Sequence, residues 1–317
     1  MDLCQLVRTS CHQIVDQADL VTIDQEQLRA YAKTLIAGLA IGPDWEQEPG
    51  SQKGPEELAA EVLTLDAINF GSGYHDIVDK EPGRSGATTM AIRWKRYLDG
   101  HELSPGRLGA LTMGDCATIF GQDPDIADQA ELMELFATAL RDLGSFVSNR
   151  FGGSYLSVVQ EADGSARRLA SSLLTMPLYQ DRSPGPPEAH FYKRAQITAA
   201  DLSRAFANQA PSHFDDLDRL TAFADNLVPH VLRVDGILRY DPDLATTIDS
   251  GQRLEAGSRA EIEIRAAGVE AVERLVAELA RLGRLTRAMD VDLALWSRGG
   301  GPRYKAIPRH RTRCAYY

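Results

Sequence analysis

Apolar residues three and four positions apart recur through almost every long segment of this chain, a spacing that commits it to helices packed on helices. The clearest case is Leu132, Leu135, Phe136, Leu140 and Leu143, a stripe along a helix predicted over 126–148. Two amphipathic helices are predicted over 3–40, the second carrying Leu28, Tyr31, Leu35 and Leu39 behind Asp24 as an N-cap. Pro55 opens another helix, with Glu56 and Glu57 complementing its dipole and positions 58, 62, 65 and 68 as its apolar face. Helices are also expected at 87–99 and, through Val269, Val272, Val276 and Leu279, at 268–282. Ser258 and Glu261 read as a capping box, but the run 260–267 alternates charged and apolar residues and marks its helix less clearly. Segments 42–55 (holding Trp45), 76–89 and 181–189 are rich in Gly, Pro or polar residues and read as loops, and Gly152-Gly153 marks a tight turn. The expectation is a mainly α protein with few short strands, folded as a single compact domain over residues 1–317.

Charge and cysteine usage narrow the function. Acidic residues number 45 against 34 basic, a net charge of −11. Binding a nucleic-acid duplex draws most of its affinity from neutralising phosphates, so this balance points to a small ligand, with no stable nucleic-acid partner. No apolar run approaches the roughly 20 residues needed to span a bilayer, and the first residues lack a secretion-signal layout. Cys4, Cys11, Cys116 and Cys314 are scattered without metal-type spacing. A reduced, cytoplasmic protein without metal or organic cofactor is expected. P-loop, dinucleotide-binding, zinc-protease and serine-hydrolase motifs are missing from the sequence.

The candidate for chemistry is Asp225, set between Phe223-Ala224 and the apolar run Leu227, Val228, Val231, Leu232, with Pro229 in the first helical turn. One reading is an N-cap; the other is a carboxylate facing a cavity, where it stabilises a developing cation. Asn69 and Phe70, ahead of Gly71-Ser72-Gly73, combine a donor–acceptor amide with a flat ring suited to an aromatic base, or else end a helix over a buried ring. Phe191, Tyr192, Lys193 and Arg194 put two rings beside two cations, as a solvated helix end or an anion site. Asp290 and Asp292 lie near Trp296, as surface groups or with one acid turned inward to an amine edge. The final segment carries Arg309, Arg311 and Arg313 among residues that prefer packing, so it reads as tied to the body, with an Arg available for a phosphate.

Several of these segments, in order over nearly the whole chain, resemble the queuosine salvage family of queuosine 5′-phosphate N-glycosidases. The resemblance rests on NF at 69–70, FGGSYL at 151–156, VQE at 159–161, FYKRAQI at 191–197, FAD at 223–225 with Pro229, EIEIR at 261–265, the Asp292–Trp296 segment and IPRHRTRCAYY at 307–317. This chain departs from the family pattern at Gly71-Ser72-Gly73, where an aromatic turn is expected, and at Leu293 and Ser297. The resemblance implies a fold like that of helix-hairpin-helix DNA glycosylases, with the active site formed by segments from both halves. It implies Asp225 as the catalytic carboxylate, hydrolysis of queuosine 5′-monophosphate, and release of queuine for reinsertion into tRNA. Substrate would be held by Phe70 and Phe223 against the base, Asn69, Asp292 and Trp296 around its edge, and Lys193, Arg309, Arg311 or Arg313 at the phosphate. The alternatives are a base-excision glycosylase acting on DNA or RNA, or a non-catalytic helical protein that binds a nucleobase.

Overall fold

The computed structural model describes residues 2–38, 53–185 and 187–317. Among the described residues are fifteen α-helices and four strands, the latter in two antiparallel pairs. The expected loop at 42–55 with Trp45, and Leu39, lie outside the described residues apart from positions 53–55. No helix among the described residues is long and apolar enough to cross a membrane.

The chain divides into two compact units, each assembled from non-contiguous segments. The first comprises Met1–Ser51, Asp181–Gln196 and Asp216–Thr312. Its axis is the helix Arg259–Arg281, against which Leu3–Asp16, Gln25–Gly38, Leu227–Val234 and Ala288–Gly299 pack. Leu28 and Leu35 are buried, and Asp24 Oδ1 accepts from the Glu26 and Gln27 N–H groups, the cap expected of it. Gly268 lets Leu227–Val234 approach closely, because a Cβ there would lie 3.3 Å from the Pro229 ring. Burial of Val228, Val231 and Leu232 anchors that short helix, at roughly 1.5–3 kcal/mol per side chain.

The alternating run ahead of position 268 is helical throughout. Alternation arises because charges are buried on two faces of one helix. Glu263 turns one way and accepts from the Leu20 and Val21 N–H groups, supporting the strand Val21–Ile23, which pairs with Leu238–Tyr240. Glu261 and Arg265, four apart, turn the other way. Ser258 caps the Glu261 N–H as expected, while the Glu261 carboxylate reaches back to the Gly257 N–H instead of to Ser258. Segment 181–189 is more than a loop: Arg182–Ser183 pairs with Ala189–His190, which brings Asp181 opposite Phe191 and Tyr192.

The second unit comprises Gln52–Gln180, Ile197–Asp215 and Arg313–Tyr317. Its long helix, Ala127–Phe151, buries Leu132, Phe136, Leu140 and Leu143 as its periodicity requires. The helix Pro55–Ala67 forms where expected, but of the expected face only Ile68, just past its end, is fully buried, and the helix turns another side inward. Ala59, Ala60, Leu63 and Ala67 are buried, whereas Leu58, Val62 and Leu65 are only partly covered. Small side chains allow close helix contact, and buried Thr64 on the same side accepts a 3.0 Å bond from Trp94 Nε1. Gly71 adopts φ +97°, and its N–H and that of Ser72 both bond the Tyr317 carbonyl oxygen. A Cβ at Gly71 would lie 2.7 Å from Leu132, so the glycine there serves both a left-handed turn and a close approach.

Candidate active site

In the first unit, Asp225 is partly buried immediately before the helix Leu227–Val234. Its Oδ1 accepts from the Leu227 N–H at 2.9 Å and the Val228 N–H at 3.0 Å. The capping reading therefore describes one carboxylate oxygen, and the helix dipole favours the negative charge. Each neighbour of Asp225 is anchored separately. The Phe223 N–H donates to Asp292 Oδ1 at 2.9 Å, the Ala224 carbonyl accepts from Arg265 Nε at 3.0 Å, and Asn226 Nδ2 donates to the His310 carbonyl at 3.1 Å. A carboxylate on a loop held at the two residues before it and the one after it is positioned before any ligand arrives.

Of the expected site residues, Phe223, Asp292 and Lys193 are buried in this unit, and Arg309 and Arg311 are partly buried. Asp292 points inward, as one of its two readings required, and holds the backbone of Phe223. Trp296, one turn further along that helix, is 44% exposed. Lys193 and Arg194 are buried, not a solvated helix end. Phe191 and Tyr192 are buried beside them, and the Lys193 N–H is capped by Asp181 Oδ2 at 3.2 Å. Tyr192 adopts φ +51°, a strained value for a bulky side chain.

The three arginines separate. Arg313, in the second unit, is bound to Asp128 and Glu131 and lies over the Tyr74 ring. Arg311, in the first, donates to the Gly251 carbonyl at 2.8 Å, while the Leu254 N–H binds the Arg311 carbonyl. The final segment is thus tied down, as its packing residues suggested, although Ile307 itself is exposed. Arg309 has no hydrogen bond or ion pair for its guanidinium among the described residues. Burial lowers its pKa, the negative charge of Asp225 opposes that shift, and Arg311 adds to it. Arg309 is therefore a half-desolvated cation within the field of Asp225. His310 beside it is fully buried, and burial together with the charges of Arg265 and Arg309 pushes its pKa down to about 3, keeping the ring neutral.

Asn69 and Phe70 lie in the second unit. Asn69 Nδ2 donates to Asp66 Oδ1 at 3.2 Å, and Phe70 is buried edge-on to Phe136 with ring centres 5.2 Å apart. The helix before them ends at Ala67, so the reading of a helix stop over a buried ring matches their packing.

Sequence reasoning passed over Asp181, which opens a proline-rich segment without a motif, and gave Arg265 no role of its own. Both are buried. Arg265 Nη1 and Nη2 bind the two Asp181 oxygens at 3.0 and 2.6 Å, and Nη1 also reaches Glu261 at 3.3 Å. The only trace in sequence is the EIEIR run, where three charges alternate with isoleucines in a helix-forming context. Among the described residues, no group of three or more His, Cys, Asp or Glu side chains is placed to hold a metal ion.

The family model of the queuosine salvage protein matches residues 49–317. The chain belongs to the queuosine salvage family. Among its relatives is a queuosine 5′-phosphate N-glycosylase/hydrolase of Sphaerobacter thermophilus, 36% identical over 98% of this chain and 97% of that protein. Those of Bos taurus, at 30% over the full length of both chains, and Mus musculus, at 28% over 98% of each, carry the same description. The match extends over both compact units of this queuosine salvage family member.

Proposed function

We propose that this protein hydrolyses the N-glycosidic bond of queuosine 5′-monophosphate, releasing queuine and leaving ribose 5-phosphate, with Asp225 as the catalytic carboxylate. The end-to-end similarity to queuosine 5′-phosphate N-glycosylase/hydrolases supports the reaction. The observation that carries the role of Asp225 is its setting: a carboxylate on a loop anchored at Phe223, Ala224 and Asn226, with one oxygen fixed by the Leu227 and Val228 N–H groups. As the bond from C1′ to the base nitrogen lengthens, positive charge grows on C1′ and O4′. A fixed carboxylate stabilises that charge more than the neutral ground state, which is what lowers a barrier. Water supplies the hydroxyl to C1′ and a proton to the departing base. A 7-deazaguanine lacks a basic N7, so hydrogen bonds to its pyrimidinone edge assist departure.

Phe223 and Asp292, joined by their hydrogen bond and adjacent to the anchored loop, are the candidates to meet the base. Arg309 is the candidate for the 5′-phosphate. Its guanidinium is partly desolvated and, among the described residues, paired with no carboxylate, and an anionic group would return the solvation that burial removes. Lys193, buried at a helix start in the same unit, is a second cation for that role. The same reading places the reaction in the cytoplasm, with a free nucleotide as substrate and no stable nucleic-acid partner, in keeping with the charge of −11.

Incubation of purified protein with queuosine 5′-monophosphate, followed by mass spectrometry of the products, tests this. Free queuine is expected from the native protein, with its release slowed about a thousandfold in Asp225→Asn. Tight binding of the base without turnover, or full turnover by the variant, overturns the proposal.

A further inference from the structure

A single buried arginine links Asp225 to Lys193 in the first unit. The Arg265 guanidinium donates from Nε to the Ala224 carbonyl and from Nη1 and Nη2 to the Asp181 carboxylate, with Glu261 as a further acceptor. Its Cζ lies 3.9 Å from the centre of the Phe191 ring. The Ala224 carbonyl belongs to the peptide unit that joins Ala224 to Asp225. Fixing that plane leaves little freedom in the direction from which the Asp225 side chain departs. On the other side of the pair, Asp181 Oδ2 takes the Lys193 N–H and the Asp181 carbonyl takes the Phe191 and Tyr192 N–H groups, at 3.0 and 3.2 Å. The strained φ of Tyr192 falls within this set. One rigid ion pair is thus the shared reference for two residues of the proposed site.

We propose that Arg265, locked by Asp181 and Glu261, is a positioning residue that aims the Asp225 carboxylate at the sugar and sets the start of the Lys193 helix in register with it. The inference rests on the assignment of Asp225 above. A planar fork with donors in three directions is required, because the carbonyl and the two carboxylates approach it from different sides. Lysine keeps the charge but offers no such plane. A buried pair of this kind is costly to desolvate and is not needed for packing alone, since apolar residues of similar volume often serve stability as well or better. Retaining it next to the loop that carries Asp225 is accounted for by orientation.

The test measures kcat and KM for queuosine 5′-monophosphate on folded, monodisperse protein. The proteins are the native chain, Asp225→Asn, Arg265→Lys, and the neutral pair Asp181→Leu with Arg265→Met. Misplacing a reacting group by about 1 Å costs roughly 100-fold. A fall of that size in kcat, with KM within about threefold, is expected for Arg265→Lys, and the neutral pair is expected to lose at least as much kcat while melting cooperatively. A merely structural role would reduce the folded fraction and leave kcat per folded molecule unchanged. The inference is overturned if either folded variant keeps kcat within tenfold of native, if the loss lies in KM alone, or if neither variant folds, which would make the pair an element of the fold. Should Asp225→Asn itself keep turnover, the assignment of that carboxylate fails first. If Asp225→Asn is inactive while the Arg265 variants are not, only the positioning role is lost.

Discussion

In the proposed reaction Asp225 has two jobs that different substitutions separate. Its Oδ1 caps the helix Leu227–Val234 through two N–H bonds, and its charge faces the sugar in the proposed reaction. Asparagine keeps an oxygen in the capping position and ranks with aspartate as an N-cap, so it loses only the charge–dipole contribution, about 0.3–1 kcal/mol. Alanine loses the cap as well, at about 1 kcal/mol, and in a chain of 317 residues that lowers the melting temperature by about 1–2 °C. For catalysis the two substitutions are equivalent. A carboxylate about 4 Å from a full positive charge contributes about 4 kcal/mol at an effective dielectric constant near 20, or roughly a thousandfold in rate. Thermal unfolding paired with steady-state release of queuine distinguishes the two jobs. The expected pattern is both variants reduced in kcat by about three orders of magnitude, with Asp225→Ala melting below Asp225→Asn. Equal melting of Asp225→Ala and the native protein would refute the cap, and retention of more than a tenth of native kcat by Asp225→Asn would refute the electrostatic role.

Arg309→Gln should lower kcat/KM for the 5′-monophosphate by roughly 10- to 150-fold, the equivalent of one charged hydrogen-bonding contact at about 1.5–3 kcal/mol; cleavage of the unphosphorylated nucleoside, if measurable, should hardly change, and equal losses on both substrates would count against a phosphate role. Asp292→Ala strands the buried Phe223 N–H, so urea unfolding should show a loss of about 1–3 kcal/mol, and an unchanged midpoint would mean that water replaces the carboxylate. His310, held neutral with a pKa of about 3, has its folded pKa below the unfolded value, so the unfolded chain binds the extra proton. Its contribution is complete above the unfolded value of about 6.5 and declines as pH falls from there toward 3, by about 1.4 kcal/mol per pH unit at most. His310→Asn should flatten the fall in stability between about pH 6.5 and 5 by one proton; an unchanged slope in urea titrations would show that His310 is not the group responsible.

Local order was legible in the chain because it depends on neighbours a few residues away. The stripe from Leu132 to Leu143, the Asp24 cap, the helix begun by Pro55 and the helix after Asp225 all follow from spacing, capping chemistry and the missing proline N–H. The packing residues of the final segment likewise pointed to its attachment, and the family motifs imply Asp225 as the catalytic carboxylate. Which face turns inward is another matter. In Pro55–Ala67 the core takes the alanine side, since close packing against other helices favours small residues over the larger Leu58 and Val62. The charges of 261–265 blurred the helical period because Glu263 and Glu261 with Arg265 are satisfied by partners on opposite sides. Those partners, Leu20 and Asp181, are remote in sequence. The commitment of Arg313 to Asp128 and of Arg311 to Gly251, leaving Arg309 of the three without a hydrogen-bond partner among the described residues, is decided in the same way. Spacing along a chain records the period of its helices, but a buried charge is tolerated only where a distant partner meets it, and that meeting exists only once the chain has folded.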